Sequence, residues 1–122
     1  MTESTPSYYR YWGKTDKETG KYHLLPYHSL DVAAVGYYLL SNNPALRRKI
    51  ATITGLDETI CFYWLQMGLA FHDIGKFSEA FQNLRPDLLK KLQGVTSKKE
   101  YTVRHDSLGN LFLKSFLENG NP

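Results

Sequence analysis

Four histidines, His23, His28, His72 and His105, are the residues of this 122-residue sequence best suited to ligand or acid–base chemistry. Three of them stand beside an aspartate or within one helical turn of one: His72 with Asp73, His28 with Asp31, and His105 with Asp106. Imidazole nitrogen and carboxylate oxygen together suit zinc, iron, manganese or nickel. His72 and Asp73 fall near the end of the most apolar stretch, where an unpaired carboxylate is expensive to bury and a bound cation would remove that cost. Consecutive helical residues diverge by about 100°. The two side chains would therefore not pair with each other, yet both could reach one ion in a groove beside the helix. Lys76, three residues after Asp73 and four after His72, shares their face and could neutralise a scissile phosphate. His28 opens a helix, and Asp31 can hold its ring in the tautomer a metal needs. His105 opens another, with Gly109 one turn on, where the missing Cβ lets a backbone or ligand approach.

Each piece taken alone has a plainer reading. His72-Asp73-Ile74-Gly75-Lys76 is equally a solvated helix end, with Gly75 and Lys76 suited to a C-terminus. His28 and His105 could be surface histidines beside first-turn acids. Asp106 reads as such an acid and His23 as a loop residue, and neither is given a role.

The elements that must position these residues follow from apolar spacing and punctuation. Residues 8–26 are aromatic and turn-rich, with Asp16 to Gly20 a surface turn, and are expected to pack as irregular chain. Leu30, Ala34, Tyr37 and Tyr38 predict a first helix over 27–41, which Asn42-Asn43-Pro44 stops. Pro44 opens a short basic helix to about Thr52 that Gly55 closes, and Asp57 caps the next. That third helix is expected to be the longest, over 58–76, and apolar nearly all round, hence central and buried. Short helices over 79–84 and 87–92 are split by Pro86, a polar loop spans 94–100, and a last helix runs over 104–118 with Leu108, Leu111, Phe112, Ser115 and Phe116 on one side. Strand signals are nearly absent. The fold class is therefore all-α, an irregular helical bundle, with tails at 1–10 and 119–122 around one domain over 11–118.

Length permits a single core and excludes a nuclease plus a motor on the same chain. Hydrophobic residues at 42% and charged residues at 22% exclude a disordered chain. A net charge of +3 permits contact with phosphates without arguing for it. The one cysteine, Cys61, reads as a buried, inert thiol. Neither a signal core nor a membrane span is visible, which makes the cytoplasm the expected compartment.

Together these residues resemble the N-terminal HD domain of the CRISPR-associated helicase-nuclease of type I systems. Tyr11-Trp12-Gly13-Lys14 is similar to the family's opening signature, and the run from His23 to Val35 to its first metal-histidine helix. Leu69 to Phe77, followed by Phe81-Gln82, resembles the central HD motif, and Arg104 to Gly109 the next histidine helix. The resemblance implies an HD phosphohydrolase fold. It also implies a nuclease that cuts single-stranded DNA with divalent transition metal ions, Fe, Mn, Ni, Co and Zn being unresolved. By that resemblance His28, His72 and Asp73 hold a first ion, Asp73 bridges to a second that His105 helps bind, and Lys76 faces the phosphate, so Lys76 and Asp73 are the catalytic candidates. Single-stranded DNA, a helicase portion and an RNA-guided surveillance complex are the implied partners.

The family's pattern continues with an adjacent histidine pair and a later aspartate. Here no histidine follows His105 and no aspartate follows Asp106. At most one firm ion site is expected, because Asp73 and His105 alone are too few ligands for the second. The domain is accordingly expected to be an incomplete, C-terminally shortened piece with weak activity alone. Core surface left along Phe112, Phe116 and the third helix would favour a homo-dimer. Two other readings stay open: an HD phosphohydrolase acting on nucleotides, and a non-catalytic HD scaffold that docks to a helicase or surveillance complex.

Overall fold

The computed structural model describes residues 4–119; the outermost parts of the expected tails, 1–3 and 120–122, lie outside the described residues. The described residues form six α-helices and one two-stranded sheet, so the fold is the all-α, irregular helical type. The chain divides into two units. One joins the residues through His28 to those from Asp73 onward, and the other is Ser29–His72.

The first correction concerns the aromatic opening segment, which is not irregular. After a 3-10 turn at Ser7–Arg10, β1 (Trp12–Thr15) pairs antiparallel with β2 (Tyr22–Leu24). Strands of four and three residues are too short for two-residue alternation to show, and their stability comes from pairing rather than from local propensity. The turn between them is where the sequence placed it. Asp16 Oδ1 accepts from the backbone N–H groups of Glu18 and Thr19 at 2.8 and 3.3 Å, and Gly20 takes the left-handed φ of 69°. Those N–H groups hold the Asp16 carboxyl below its ordinary value. Register slips between Trp12 and Lys14, and the bulge falls on Gly13. A Cβ there would stand 2.8 Å from Leu25 Cα, so only glycine lets β1 press against the start of α1 (Leu25–Ser41).

The core of this unit forms around Trp12, Phe81 and Leu88, with Tyr22, Leu92 and Tyr101 packed against it. Phe81 lies on α4 (Glu79–Gln82) and Leu88 on α5 (Pro86–Gln93). Gln82 is fully buried because it serves the backbone of β1: its Oε1 accepts from Trp12 N–H at 3.1 Å and its Nε2 donates to the Trp12 carbonyl at 2.9 Å. The last helix, α6 (His105–Asn119), packs on the 3-10 turn Ile74–Phe77.

In the second unit α2 (Pro44–Thr54) packs on α3 (Glu58–Phe71). Asn43 caps α2 by accepting from Leu46 N–H at 3.0 Å, Gly55 ends it at φ 70°, and Asp57 caps α3. Arg47 ties the three helices of this unit together. Its guanidinium donates to the Leu40 and Ser41 carbonyls at the end of α1 and to Glu58 on α3.

A second correction concerns α3, which neither reaches Lys76 nor is the longest helix. It has 14 residues against 17 in α1 and stops at Phe71. Cys61 is its buried residue, while Ile60, Tyr63 and Trp64 are 50 to 66% exposed. Apolar character all round a helix expresses a capacity for burial, and the described elements cover only part of its circumference. Among the described residues no helix is long and apolar enough to cross a membrane.

Candidate metal centre

The early end of α3 places the site. With the helix finished at Phe71, Asp73 adopts φ −107° and ψ 18° and leads into the 3-10 turn Ile74–Phe77. This sparsely populated bridge conformation turns its side chain into the first unit, where it is only 6% exposed. The expected 100° divergence of two helical neighbours therefore does not apply.

Three cationic or imidazole groups from distant parts of that unit meet the carboxylate. His28 Nε2, from the first turn of α1, lies 3.0 Å from Asp73 Oδ2. Lys76 Nζ lies 2.7 Å from the same oxygen. His105 Nε2, from the start of α6, lies 3.3 Å from Oδ1. The burial of Asp73 thus does not in itself require a cation, since Lys76 already supplies a countercharge. The ammonium is held from its other side by the Gly13 carbonyl at 3.2 Å, which is where the bulge of β1 delivers it.

Close backbone contact brings His105 to this place. A Cβ on Gly75 would collide with the His105 carbonyl and stand 2.7 Å from Gly109 N; one on Gly109 would meet Gly75 N at 3.1 Å. Two glycines facing each other let α6 lie directly on the 3-10 turn. Tyr101 then fixes the ring of His105: its hydroxyl accepts from the His105 backbone N–H at 2.8 Å and faces Nδ1 at 2.9 Å. Asp106, next along α6, pairs with Arg104 at 2.9 Å on the surface, and that side chain and the Ser107 N–H hold its carboxyl below its ordinary value.

His72 is the last residue of the other unit, joined to Asp73 by a single peptide bond. Its Nδ1 lies 2.6 Å from the Leu69 carbonyl. A carbonyl only accepts, so Nδ1 carries the proton, the tautomer in which a metal would be bound through Nε2. One donor atom each from His28, His72 and Asp73 lies within 4.8 Å of the others. Two imidazoles and a carboxylate are a donor set that fits a first-row transition cation.

Of the expected site residues, His28, His105 and Lys76 meet the carboxylate of Asp73, and His72, its neighbour in sequence, offers a ligand atom within 4.8 Å of those of His28 and Asp73. Sequence reasoning missed Tyr101 and noted Gln82 only within the motif resemblance, without a role. Tyr101 could have been noticed as an aromatic hydroxyl one turn before His105. The role of Gln82 carried no local signal, because its partner Trp12 lies 70 residues away.

The family model for the HD domain of Cas3 matches residues 12–121. The CRISPR-associated endonuclease/helicase Cas3 of Escherichia coli (strain K12) is 37% identical over an alignment 89 residues long that covers 70% of this chain and 10% of that protein. The chain therefore spans a small part of the length of the curated relative it matches. No solved structure matches it. A match that begins at Trp12, in β1, and runs through all four ligand candidates shows that this chain belongs to the family of Cas3 HD domains.

Proposed function

We propose that this chain hydrolyses phosphodiester bonds of single-stranded DNA with a divalent transition metal, in type I CRISPR interference. The observation that carries the reading is the convergence of His28, Lys76 and His105 on the single buried carboxylate of Asp73. A cation held by His28, His72 and Asp73 would supply Lewis acidity, activating water and offsetting charge on the phosphodiester. The chain's own groups do the rest. Asp73 presents two oxygens to two neighbouring positions, Tyr101 orients the ring of His105, and Lys76, anchored on the Gly13 carbonyl, faces the phosphate. A second ion would have Asp73 and His105 alone among the described residues, so the chain by itself is weakly active.

The printed name of the Escherichia coli relative joins an endonuclease to a helicase. By extension, a helicase portion delivers the strand to this domain, an RNA-guided surveillance complex recruits both, and the reaction takes place in the cytoplasm. Phe112 and Phe116, 41% and 72% exposed, offer apolar surface for self-association.

Elemental analysis of protein purified without chelator, paired with nicking of circular single-stranded DNA, tests the proposal. About one equivalent of transition metal per chain and nicking lost in Asp73→Ala are expected. Metal-free protein that nicks nothing, and whose melting temperature is unchanged by His72→Ala, would replace this reading with a non-catalytic docking module.

A further inference from the structure

Next to the metal centre, and unused by it, stands a file of aromatic rings. Tyr8 and Tyr9 lie 4.7 Å apart between centroids, Tyr9 and Tyr27 5.5 Å, and Tyr27 and His23 6.2 Å with their planes only 13° apart. His23 in turn meets the edge of His28 at 6.5 Å. The file thus begins on the 3-10 turn Ser7–Arg10 and ends on a residue whose Nε2 touches Asp73. Its members belong to one unit of the fold.

A cluster built only to anchor the N-terminal segment would bury its rings. Tyr8 and Tyr27 are instead 48% exposed each. His23 also lines a surface concavity with Lys14, Lys17 and Lys21 on the β1–β2 hairpin. Asp16 and Glu18 share that concavity, so three ammonium groups face two carboxylates there, and Asp16 spends a carboxylate oxygen on two backbone N–H groups of its own turn. Half-exposed aromatic rings, ammonium groups alongside, and an end point at the proposed phosphodiester site combine the two features that grip unpaired nucleic acid: stacking platforms for bases and cations for the backbone.

We infer that Tyr8, Tyr27 and His23 form a base-stacking track that leads single-stranded nucleic acid to Asp73. The inference rests on the proposed nuclease reading and supplies its substrate path. Stacking tolerates any base, so the track selects unpaired strands rather than a sequence.

Fluorescence anisotropy of the full chain with a labelled oligothymidylate, in chelator so that no metal chemistry contributes, tests it. Tyr8→Leu and Tyr27→Leu should each weaken binding about tenfold, the order expected for one lost base–aromatic stack. Tyr27→Phe, which keeps the ring, should bind as the wild type does. An abasic oligonucleotide of equal length and charge should bind the unaltered chain more weakly than either Leu variant binds the base-bearing one, because it loses every stack rather than one, a comparison that needs no variant to fold. Equal affinity for abasic and base-bearing strands, Leu variants that bind normally, or no binding by the wild type would each overturn the track. Failure of the nuclease reading shows separately, in the metal content and DNA nicking of the wild type.

Discussion

Gln82 and Trp12 satisfy each other's polar groups across the core. The Gln82 side chain accepts from Trp12 N–H at 3.1 Å and donates to the Trp12 carbonyl at 2.9 Å, while the Trp12 indole N–H donates to the Gln82 carbonyl at 3.1 Å. The same Nε2 also donates to the Lys76 carbonyl at 2.8 Å, so this one amide connects the hairpin to the turn that carries Asp73 and Lys76. In Gln82→Leu the two buried backbone groups of Trp12 and the part-buried Lys76 carbonyl lose this partner. Because each such loss costs about 1–3 kcal/mol and the losses are not additive, a fall in unfolding free energy of about 2–4 kcal/mol is expected. Urea unfolding followed by tryptophan fluorescence would measure it, and a change under 1 kcal/mol would remove Gln82 from the role of strut.

Most of the helical framework was legible because its signals are local. Asn43 with Pro44, Gly55 and Asp57 mark the ends of α2 and the start of α3, and the structure uses all of them. The hairpin was not legible, since pairing Trp12–Thr15 with Tyr22–Leu24 depends on a bulge at Gly13 that matters only once α1 lies against it. The break after Phe71 was missed for a similar reason. The sequence keeps its apolar helical pattern there, and what draws Asp73 out of the helix is its contact with His28 and His105. Ligand identities could be read from residue types and family resemblance. The roles of Tyr101 and Gln82 were not read: the place of Tyr101 one turn before His105 was the only local hint of the first, and the second exists only once Trp12 lies beside Gln82 in the folded chain.

Gly75 and Gly109 set how closely α6 approaches the 3-10 turn. In Gly75→Ala the new methyl would collide with the His105 carbonyl, which is backbone and cannot rotate away. The helix must shift, carrying the His105 ring off Asp73. A loss of about 1–3 kcal/mol is expected, in the range of overpacking. Weaker metal binding should accompany it. Gly20→Ala on the exposed hairpin turn, where a Cβ meets nothing within 4 Å but φ is 69°, should destabilise without touching metal affinity. Thermal melts combined with metal titrations would separate the two.

Acid should weaken the fold through carboxyl groups on its surface. Asp16 is held below its ordinary value of 3.8 by the Glu18 and Thr19 N–H groups, Asp87 by Arg85, and Asp106 by Arg104. Glu79 is held below 4.5 by the Ser97 hydroxyl and Lys99. A carboxyl whose value is lower in the folded chain binds fewer protons there than when unfolded, so its contribution is complete above the unfolded value and disappears as pH falls through the folded one. From these groups the urea midpoint should stay level at neutral pH and decline below about pH 4.5. In Asp16→Asn the amide oxygen still accepts both turn hydrogen bonds but does not titrate, and the decline should be shallower. Salt should flatten the part due to Arg85 and Arg104 and leave the Asp16 part, whose partners are uncharged. An acid limb identical in Asp16→Asn would show that this turn contributes nothing to it.

Tyr101 links the tautomer of His105 to the start of α6. Its hydroxyl oxygen already accepts from the His105 backbone N–H at 2.8 Å. With Nε2 directed at Asp73 Oδ1 and engaged as a ligand, Nδ1 must carry the proton and donate to the same oxygen. Tyr101→Phe keeps the ring packed against Phe81 and removes only that acceptor. The lost hydrogen bond should lower stability by about 1 kcal/mol. The weaker binding of the second ion, which has only Asp73 and His105 among the described residues, should fall by about a further 10–100-fold, as when a group behind a ligand histidine is removed. Manganese or cobalt titration by calorimetry reads the second effect and thermal melting the first. A lowered melting temperature with unaltered metal affinity would assign Tyr101 to the helix terminus alone and leave the orientation of His105 to its packing on Gly75.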